Sequence, residues 1–159
     1  MRPDRRGALL RLATALSAGL AAFRASAAEE PAAALSTGAA PVGVPRVVYH
    51  LADAAKVNFV LGNIANHFRG MGGPDKVHIE LVVHGPALAA FDAARANPLL
   101  ARTVAALLSQ GLGLGACGNT LDAQQMGVGD LLPGFSRVDE GGVVRLARRQ
   151  AEGYAYIRP

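Results

Sequence analysis

From Arg46 onwards, the hydrophobic pattern of the chain alternates between two periods. Short runs rich in β-branched and aromatic residues predict strands, and longer runs with an apolar residue at every third or fourth position predict helices. Five strands are predicted in this way, at 46–51 (RVVYHL), 77–84 (VHIELVVH), 112–117 (LGLGAC), 135–138 (FSRV) and 154–157 (YAYI).

Helical segments are predicted between these strands. The second is interrupted at Asn97-Pro98, and a further turn is expected at 130–132. Asp53 can cap the first helix, and proline stands at a favoured first-turn position of the second. The predicted segments run from Asp53 to the glycines at 70–73, from Gly85-Pro86 to Gly111, from a cap at Asn119 or Thr120 to Gly127, and over 143–153.

The alternation of strands with helix-length segments implies βαβ units. The sequence therefore predicts an α/β fold, with a mostly parallel sheet of about five strands and helices on both faces. A single domain over 46–159 accommodates all of these elements. Residues 29–45 (EEPAAALSTGAAPVGVP) have no sustained period and are predicted to be a flexible linker.

The first 28 residues are organised like an export signal peptide. Arg5-Arg6 precede the apolar run 12–23, and Ala25-Ser26-Ala27 forms an A-x-A processing site. The apolar run is short for a bilayer span, which argues against a retained anchor. Paired arginines before a mild apolar core resemble a Tat signal, with Sec as the alternative. Either route predicts a periplasmic protein.

Removal of this leader changes the charge of the protein. The whole chain has 16 basic and 12 acidic side chains and a pI near 9.8. Five of the arginines and one aspartate lie within 1–28, so the remainder has equal numbers of each sign. Nucleic-acid binding is not expected, because neutralising phosphates requires a basic face. No membrane association is expected after the leader is removed.

Cys117 is the only cysteine, so it cannot form an intramolecular disulfide. It stands at the end of the third predicted strand, directly before a helix. The unpaired amides of a helix N-terminus favour a thiolate and lower the thiol pKa, which makes Cys117 a candidate nucleophile or sulfur carrier. The alternative is a cysteine that serves as a small buried hydrophobe.

His84 ends the second predicted strand and is a second candidate, for proton transfer or for orienting a bound sulfur species. The alternative is a histidine bonded to a nearby loop, since two strand spacings would leave it about 10 Å from the thiol. His50, which ends the first strand, has the same two interpretations. His67 and His78 do not stand at a spacing typical of metal ligands, and no metal is expected.

Several common motifs are absent or misplaced. The stretch 113–118 fits G-x-G-x-x-G, but its glycines lie inside a predicted strand, which argues against dinucleotide binding. The sequence has no G-x-S-x-G elbow and no Walker motif. Arg145, Arg148 and Arg149 lie on the last predicted helix, where one or two of them are predicted to face solvent or a neighbouring subunit, with a solvated face favoured.

Four blocks of the chain resemble the DsrE/DsrF-like family, which contains small sulfur-relay proteins and related proteins without an assigned role. The blocks are VVHGPAL (82–88), ACGNTL (116–121), GDLLPGF (129–135) and QAEGYAYIRP (150–159). The resemblance implies a flavodoxin-like three-layer sandwich that assembles as trimers or hexamers. It also implies that Cys117 occupies the position of a persulfide-carrying cysteine that needs no cofactor.

Two functions follow as hypotheses. The first is a periplasmic sulfur-relay protein that carries a persulfide on Cys117. If it is catalytic, it is a sulfurtransferase-type carrier, and its partners are separate sulfur-donor and sulfur-acceptor proteins. The second is an oligomeric module that binds a small ligand or a partner, with Cys117 only part of the wall. The predicted export departs from the resemblance, because the better understood relay proteins are cytoplasmic.

Overall fold

The computed structural model of the protein describes residues 43–159. The predicted signal peptide (1–28) and most of the linker (29–45) lie outside these residues. The strands are β1 (Arg46–Leu51), β2 (His78–Val83), β3 (Gly113–Cys117), β4 (Phe135–Val138) and β5 (Ala155–Ile157), and the helices are α1 (Val57–Met71), α2 (Pro98–Ser109), α3 (Gly118–Ala123) and α4 (Gly142–Ala151).

All five strands are parallel and lie in the order β4-β3-β2-β1-β5. The predicted α/β class with a mostly parallel sheet is confirmed. Each of the first three βαβ crossovers steps to the next strand in one direction. The last connection runs back from β4 across the whole sheet to the far side of β1.

This reversal distributes the helices unequally over the two faces. Right-handed crossovers that step in one direction place their helices on one face, and a crossover that returns places its helix on the other. α1, α2 and α3 accordingly cover the face with the larger apolar core, which includes Tyr49, Leu81 and Leu114. α4 lies on the opposite face over a smaller cluster formed by Val48, Val82, Leu146 and Tyr154. The result is a three-layer sandwich.

The helix ends largely follow the predicted capping signals. Asn97 caps α2, because its side chain accepts a hydrogen bond from the Leu99 N–H. Asp53 does not cap α1 as predicted: its side chain accepts a hydrogen bond from the Ala55 N–H and caps a 3₁₀ turn at Ala54–Lys56, and Lys56, the N-cap of α1, makes no such bond. α1 ends at Gly72, whose φ of 93° is a left-handed conformation that suits glycine. Local sequence therefore positions the end of α1 and the start of α2.

Three further details differ from the prediction. Gly85–Phe91 forms a 3₁₀ helix rather than a turn of α-helix, and the extra turn lies at Val128–Asp130 instead of 130–132. The N-cap of α3 is Cys117 itself, not Asn119 or Thr120. With Cys117 at the cap, the first amides of α3 come directly beside the sulfur.

Candidate functional site

Cys117 and His84 lie side by side at the carboxyl edge of the sheet. β2 and β3 are neighbours, and their register pairs Val83 with Ala116. The residues that follow this pair are His84 and Cys117, which are therefore one strand spacing apart, closer than the two spacings that the sequence left possible. A Cβ placed on Gly142, the first residue of α4, would lie 3.3 Å from the Cβ of Cys117 and 3.4 Å from that of His84. Both candidates thus face the start of α4.

The thiol of Cys117 is surrounded by hydrogen-bond donors from two helix N-termini. Burial of the side chain raises its pKa, but hydrogen bonds outweigh burial and leave the pKa below the ordinary value. The donors are the Gly142 N–H of α4, the Thr120 hydroxyl, and the N–H groups of Thr120 and Asn119 in α3. The convergence of α3 and α4 therefore stabilises a thiolate.

The Thr120 hydroxyl is held in an orientation that suits this role. Its Oγ1 accepts a hydrogen bond of 2.9 Å from the Gly85 N–H, so the hydroxyl hydrogen is available for the sulfur. The Gly85 carbonyl in turn accepts a hydrogen bond of 3.1 Å from the Gln124 side chain. The loop after β2 and the helix after β3 are thereby joined next to Cys117.

A pocket of about 240 Å³ opens beside the thiol. Cys117 lines this pocket but is only 5% exposed, less accessible than its strand-end position suggested. Exposed Val143 and Val144 of α4 stand at the pocket. The lining residues are His84, Cys117, Asn119, Thr120, Glu140 and Gly141 to Val144.

His84 continues into a chain of polar side chains that crosses the same sheet face. Its Nε2 lies 2.5 Å from the Nε2 of His50, and the Nδ1 of His50 lies 2.6 Å from the Tyr156 hydroxyl. Burial lowers the pKa of His50 to about 4, with contributions from the charges of His84 and Arg158. Burial and Arg158 also lower the pKa of His84. Both imidazoles are therefore neutral at neutral pH.

The remaining histidines lie away from the thiol. His67 is hydrogen-bonded to the Tyr49 hydroxyl at 3.0 Å, and His78 packs edge-on against Tyr154. Within residues 43–159, no group of three or more His, Cys, Asp or Glu side chains could hold a metal ion. No helix in this range is long and apolar enough to cross a membrane.

α4 is anchored by a buried carboxylate that the sequence analysis did not single out. Glu80 lies in the middle of β2 on the α4 face and is only 7% exposed. Arg149 of α4 donates to one of its oxygens, and the Nε of Arg145 lies 3.7 Å from the other. Among the three arginines of α4, Arg148 is largely exposed, in agreement with the prediction that one or two of them face solvent, whereas Arg145 and Arg149 lie against Glu80. The sequence did contain a signal for this residue, because Glu80 is the only acidic residue in an otherwise largely apolar strand.

Gly115 of β3 leaves room for the side chains of Val138 and Glu80. A Cβ on Gly115 would come within 2.9 Å of a Val138 methyl group and 3.7 Å of a Glu80 oxygen. A Cβ on Gly113 would find only ordinary contacts, the nearest at 3.7 Å. The prediction that the glycines of the G-x-G-x-x-G match lie inside a strand is confirmed for Gly113 and Gly115, which belong to β3, whereas Gly118 is the first residue of α3.

Comparisons with known proteins identify similar structures of unknown function. MTH1491 of Methanobacterium thermoautotrophicum, described as a protein of unknown function, is 34% identical over 72% of this chain and 99% of its own, with a TM-score of 0.64. BT1422 of Bacteroides thetaiotaomicron, also of unknown function, is 13% identical over 72% of this chain and 94% of its own, with a TM-score of 0.56.

The ychN protein of E. coli is 14% identical, covers 72% of this chain and 99% of its own, and has a TM-score of 0.54. At this identity BT1422 and ychN are evidence for the fold alone. All three neighbours have the DsrE-like fold, in agreement with the fold that the sequence resemblance implied. No family model and no curated protein matches the chain.

Proposed function

This chain belongs to the same family as MTH1491 of Methanobacterium thermoautotrophicum, and on that premise we propose that it is a sulfur-relay protein of the DsrE/DsrF-like type. In this proposal Cys117 carries the transferred sulfur as a persulfide. The observation that carries the proposal is the set of donors from α3 and α4 around one thiol at an open pocket. A thiolate is the form of cysteine that attacks sulfur.

The chemistry needs only the thiol and its hydrogen-bond donors. The Cys117 thiolate attacks the outer sulfur of a donor persulfide, a new S–S bond forms at Cys117, and the donor leaves as a thiolate. The same N–H groups then face the new sulfur anion. Transfer to an acceptor thiolate reverses these bond changes. The protein is thus a sulfurtransferase-type carrier without a cofactor, and a donor protein and an acceptor protein are its partners.

A second candidate is a binding module without thiol chemistry. The observation that favours it is the 5% exposure of Cys117, which makes the residue part of the pocket wall. In that case the pocket of about 240 Å³ would hold a small ligand or a partner segment against the polar groups of α3 and α4. The sulfur itself would then undergo no change.

Intact-mass measurement after treatment with inorganic polysulfide separates these two functions. We expect the native protein to gain the mass of one sulfur atom, to lose it on reduction, and to gain nothing in Cys117→Ser. The substitution replaces one small side chain at a strand end, and circular dichroism checks that folding is retained. A native protein that gains no sulfur would reject the carrier function, as would equal gain by Cys117→Ser.

We further propose that the mature protein is periplasmic, exported by Tat or otherwise by Sec, and that it forms a homo-oligomer of three or six subunits. The A-x-A site at 25–27 supports cleavage near Ala27 or Ala28. The exposed apolar side chains Phe59 and Leu99 are consistent with assembly. N-terminal sequencing that finds Met1 on the exported protein would refute the cleavage, and a monomer mass by light scattering would refute the homo-oligomer.

A further inference from the structure

The first residue of α4 lies in direct contact with the strand end that carries the thiol. A Cβ on Gly142 would lie 3.3 Å from the Cβ of Cys117 and 3.5 Å from a methyl group of Val82. A residue without a side chain can approach the sheet this closely, and the approach brings the Gly142 N–H to the sulfur. The effect of α4 on the thiol therefore depends on how close to the sheet the helix lies.

Glu80 is the charged group that holds α4 against the sheet. It lies on β2 below the helix and is only 7% exposed. The Nε of Arg149 donates to its Oε2, and the Nε of Arg145 lies 3.7 Å from its Oε1. Because these two arginines are four residues apart, they stand on the same side of α4, one turn from each other. One carboxylate thus holds two successive turns of the helix.

Apolar contacts contribute little at the start of α4. Among residues 142–151, Leu146 is the only side chain larger than glycine that is buried, and the two valines of the first turn are exposed. Arg145 in that turn lies instead between two carboxylates, those of Glu80 and of Glu140, the latter at 3.5 Å. The distance of the first turn from the sheet is therefore set mainly by charged contacts.

We propose that Glu80 is a positioning residue that sets the reactivity of Cys117. It acts through its two arginines, which keep α4 close enough for the Gly142 N–H to face the sulfur. Glu80 precedes His84 by four residues, so it lies about 13 Å from the thiol end of β2 and does not touch the sulfur itself. The proposal rests on the sulfur-carrier function for its role, and it names what keeps the attacking sulfur ionised.

Removing the charge of Glu80 changes the thiol pKa in two opposite ways. The direct effect is the loss of a negative charge beside two arginines, which favours an anion nearby and lowers the pKa of Cys117. The indirect effect is an outward movement of α4, which weakens the hydrogen bond from the Gly142 N–H and raises that pKa. A rise in the pKa therefore identifies the positioning effect by its sign.

Other ionisable groups near the thiol stay in place in this comparison. His84 and Glu140 line the pocket, and Arg137 of β4 lies beside Gly118, the residue that follows the thiol. Replacing Glu80 alters none of these side chains. Their charges therefore act on the thiol in the native protein and in the variant alike.

The experiment measures the rate at which iodoacetamide alkylates Cys117 as a function of pH. In Glu80→Gln we expect the midpoint of this profile to rise by about half a pH unit, which corresponds to a roughly threefold smaller ratio of thiolate to thiol. Circular dichroism at each pH checks that the variant is folded. An unchanged or lowered midpoint would overturn the positioning role.

Arg149→Lys tests the same contact without a change in charge. An ammonium group does not reproduce the planar guanidinium on the Glu80 carboxylate, so the midpoint should again rise. Glu152→Gln is the matched control, because Glu152 contacts the same arginine at 2.7 Å but is 46% exposed and leaves Glu80 in place. This control should not raise the midpoint. Where Glu80→Gln does not fold, a native midpoint in Arg149→Lys rejects the proposal.

Gly142→Ala tests whether the distance between α4 and the sheet is the variable that matters. The added methyl group forces the neighbouring atoms apart by a few tenths of an ångström, so the midpoint should rise. Gly62→Ala in α1, where a Cβ meets nothing within 4 Å, should keep the native midpoint. In the double variant of Glu80→Gln and Gly142→Ala, the two shifts should be less than additive, because both loosen the same contact.

Fully additive shifts in the double variant would also count against the proposal, since they would mean that Glu80 acts on the thiol by another route. Failure of the sulfur-carrier function gives a different result. The native protein would then gain no sulfur from inorganic polysulfide, whereas the alkylation midpoints require no sulfur donor and would still shift.

Discussion

Replacing Glu80 with glutamine is expected to lower the free energy of unfolding by about 3 kcal/mol, the lower end of the range for breaking a buried ion pair. The substitution keeps the shape of the side chain and removes its charge. Arg145 and Arg149 would then face a neutral amide, although each is only about a quarter exposed. Arg149 keeps its contact with Glu152, which places the loss at the lower end.

Glu140→Gln is the matched control for this experiment. Glu140 contacts Arg145 and Arg148 at 3.5 Å each, but it is more exposed than Glu80, and Arg148 is 64% exposed. The same chemical change should therefore cost less than about 1 kcal/mol there. Urea unfolding of both variants provides the measurement. A Glu80→Gln variant as stable as Glu140→Gln would mean that apolar packing, not the ion pair, holds α4 on the sheet.

Replacing Thr120 with valine is expected to raise the pKa of the Cys117 thiol. At pH values below this pKa, the thiol of the variant should be alkylated more slowly than that of the native protein. The valine keeps the volume but removes the hydroxyl that donates to the sulfur. A hydrogen bond to a charged group contributes about 1.5–3 kcal/mol, so its loss shifts the equilibrium towards the thiol. The smaller thiolate population is partly offset by the greater nucleophilicity of a more basic thiolate. The rate should therefore fall about threefold to tenfold.

The measurement is the rate of iodoacetamide alkylation of the native protein as a function of pH. Thr120→Val should move the midpoint to higher pH and raise the plateau at alkaline pH, since the thiolate becomes more basic. Thr120→Ser keeps the hydroxyl and should retain the native midpoint. Thr120→Val also leaves the Gly85 N–H without its partner, and that loss appears as reduced stability to urea. An unchanged midpoint in Thr120→Val would exclude the hydroxyl as a donor to the sulfur.

Local patterns in the sequence were enough to predict the strands and helices of the fold and the position of the thiol at the end of β3. The β-branched run at β1 and the spacing of Val57, Val60 and Ile64 in α1 are local patterns, because a strand or helix must bury one side of its own chain. Cys117 at the end of β3 followed from the same reasoning. The alternation of these elements also determined the α/β class, since parallel strands require crossover segments.

Which of these residues contact one another depends on the three-dimensional arrangement of the strands and helices. The order β4-β3-β2-β1-β5 makes His84 a neighbour of Cys117, whereas the sequence left its distance open. The return of the chain from β4 to β5 places α4 on the opposite face, and this brings the Gly142 N–H to the sulfur. Sequence periodicity reports only which side of its own element a residue faces. Contacts between residues far apart in the chain, such as Glu80 with Arg149 or His50 with Tyr156, depend on strand order and crossover direction, which no local pattern encodes.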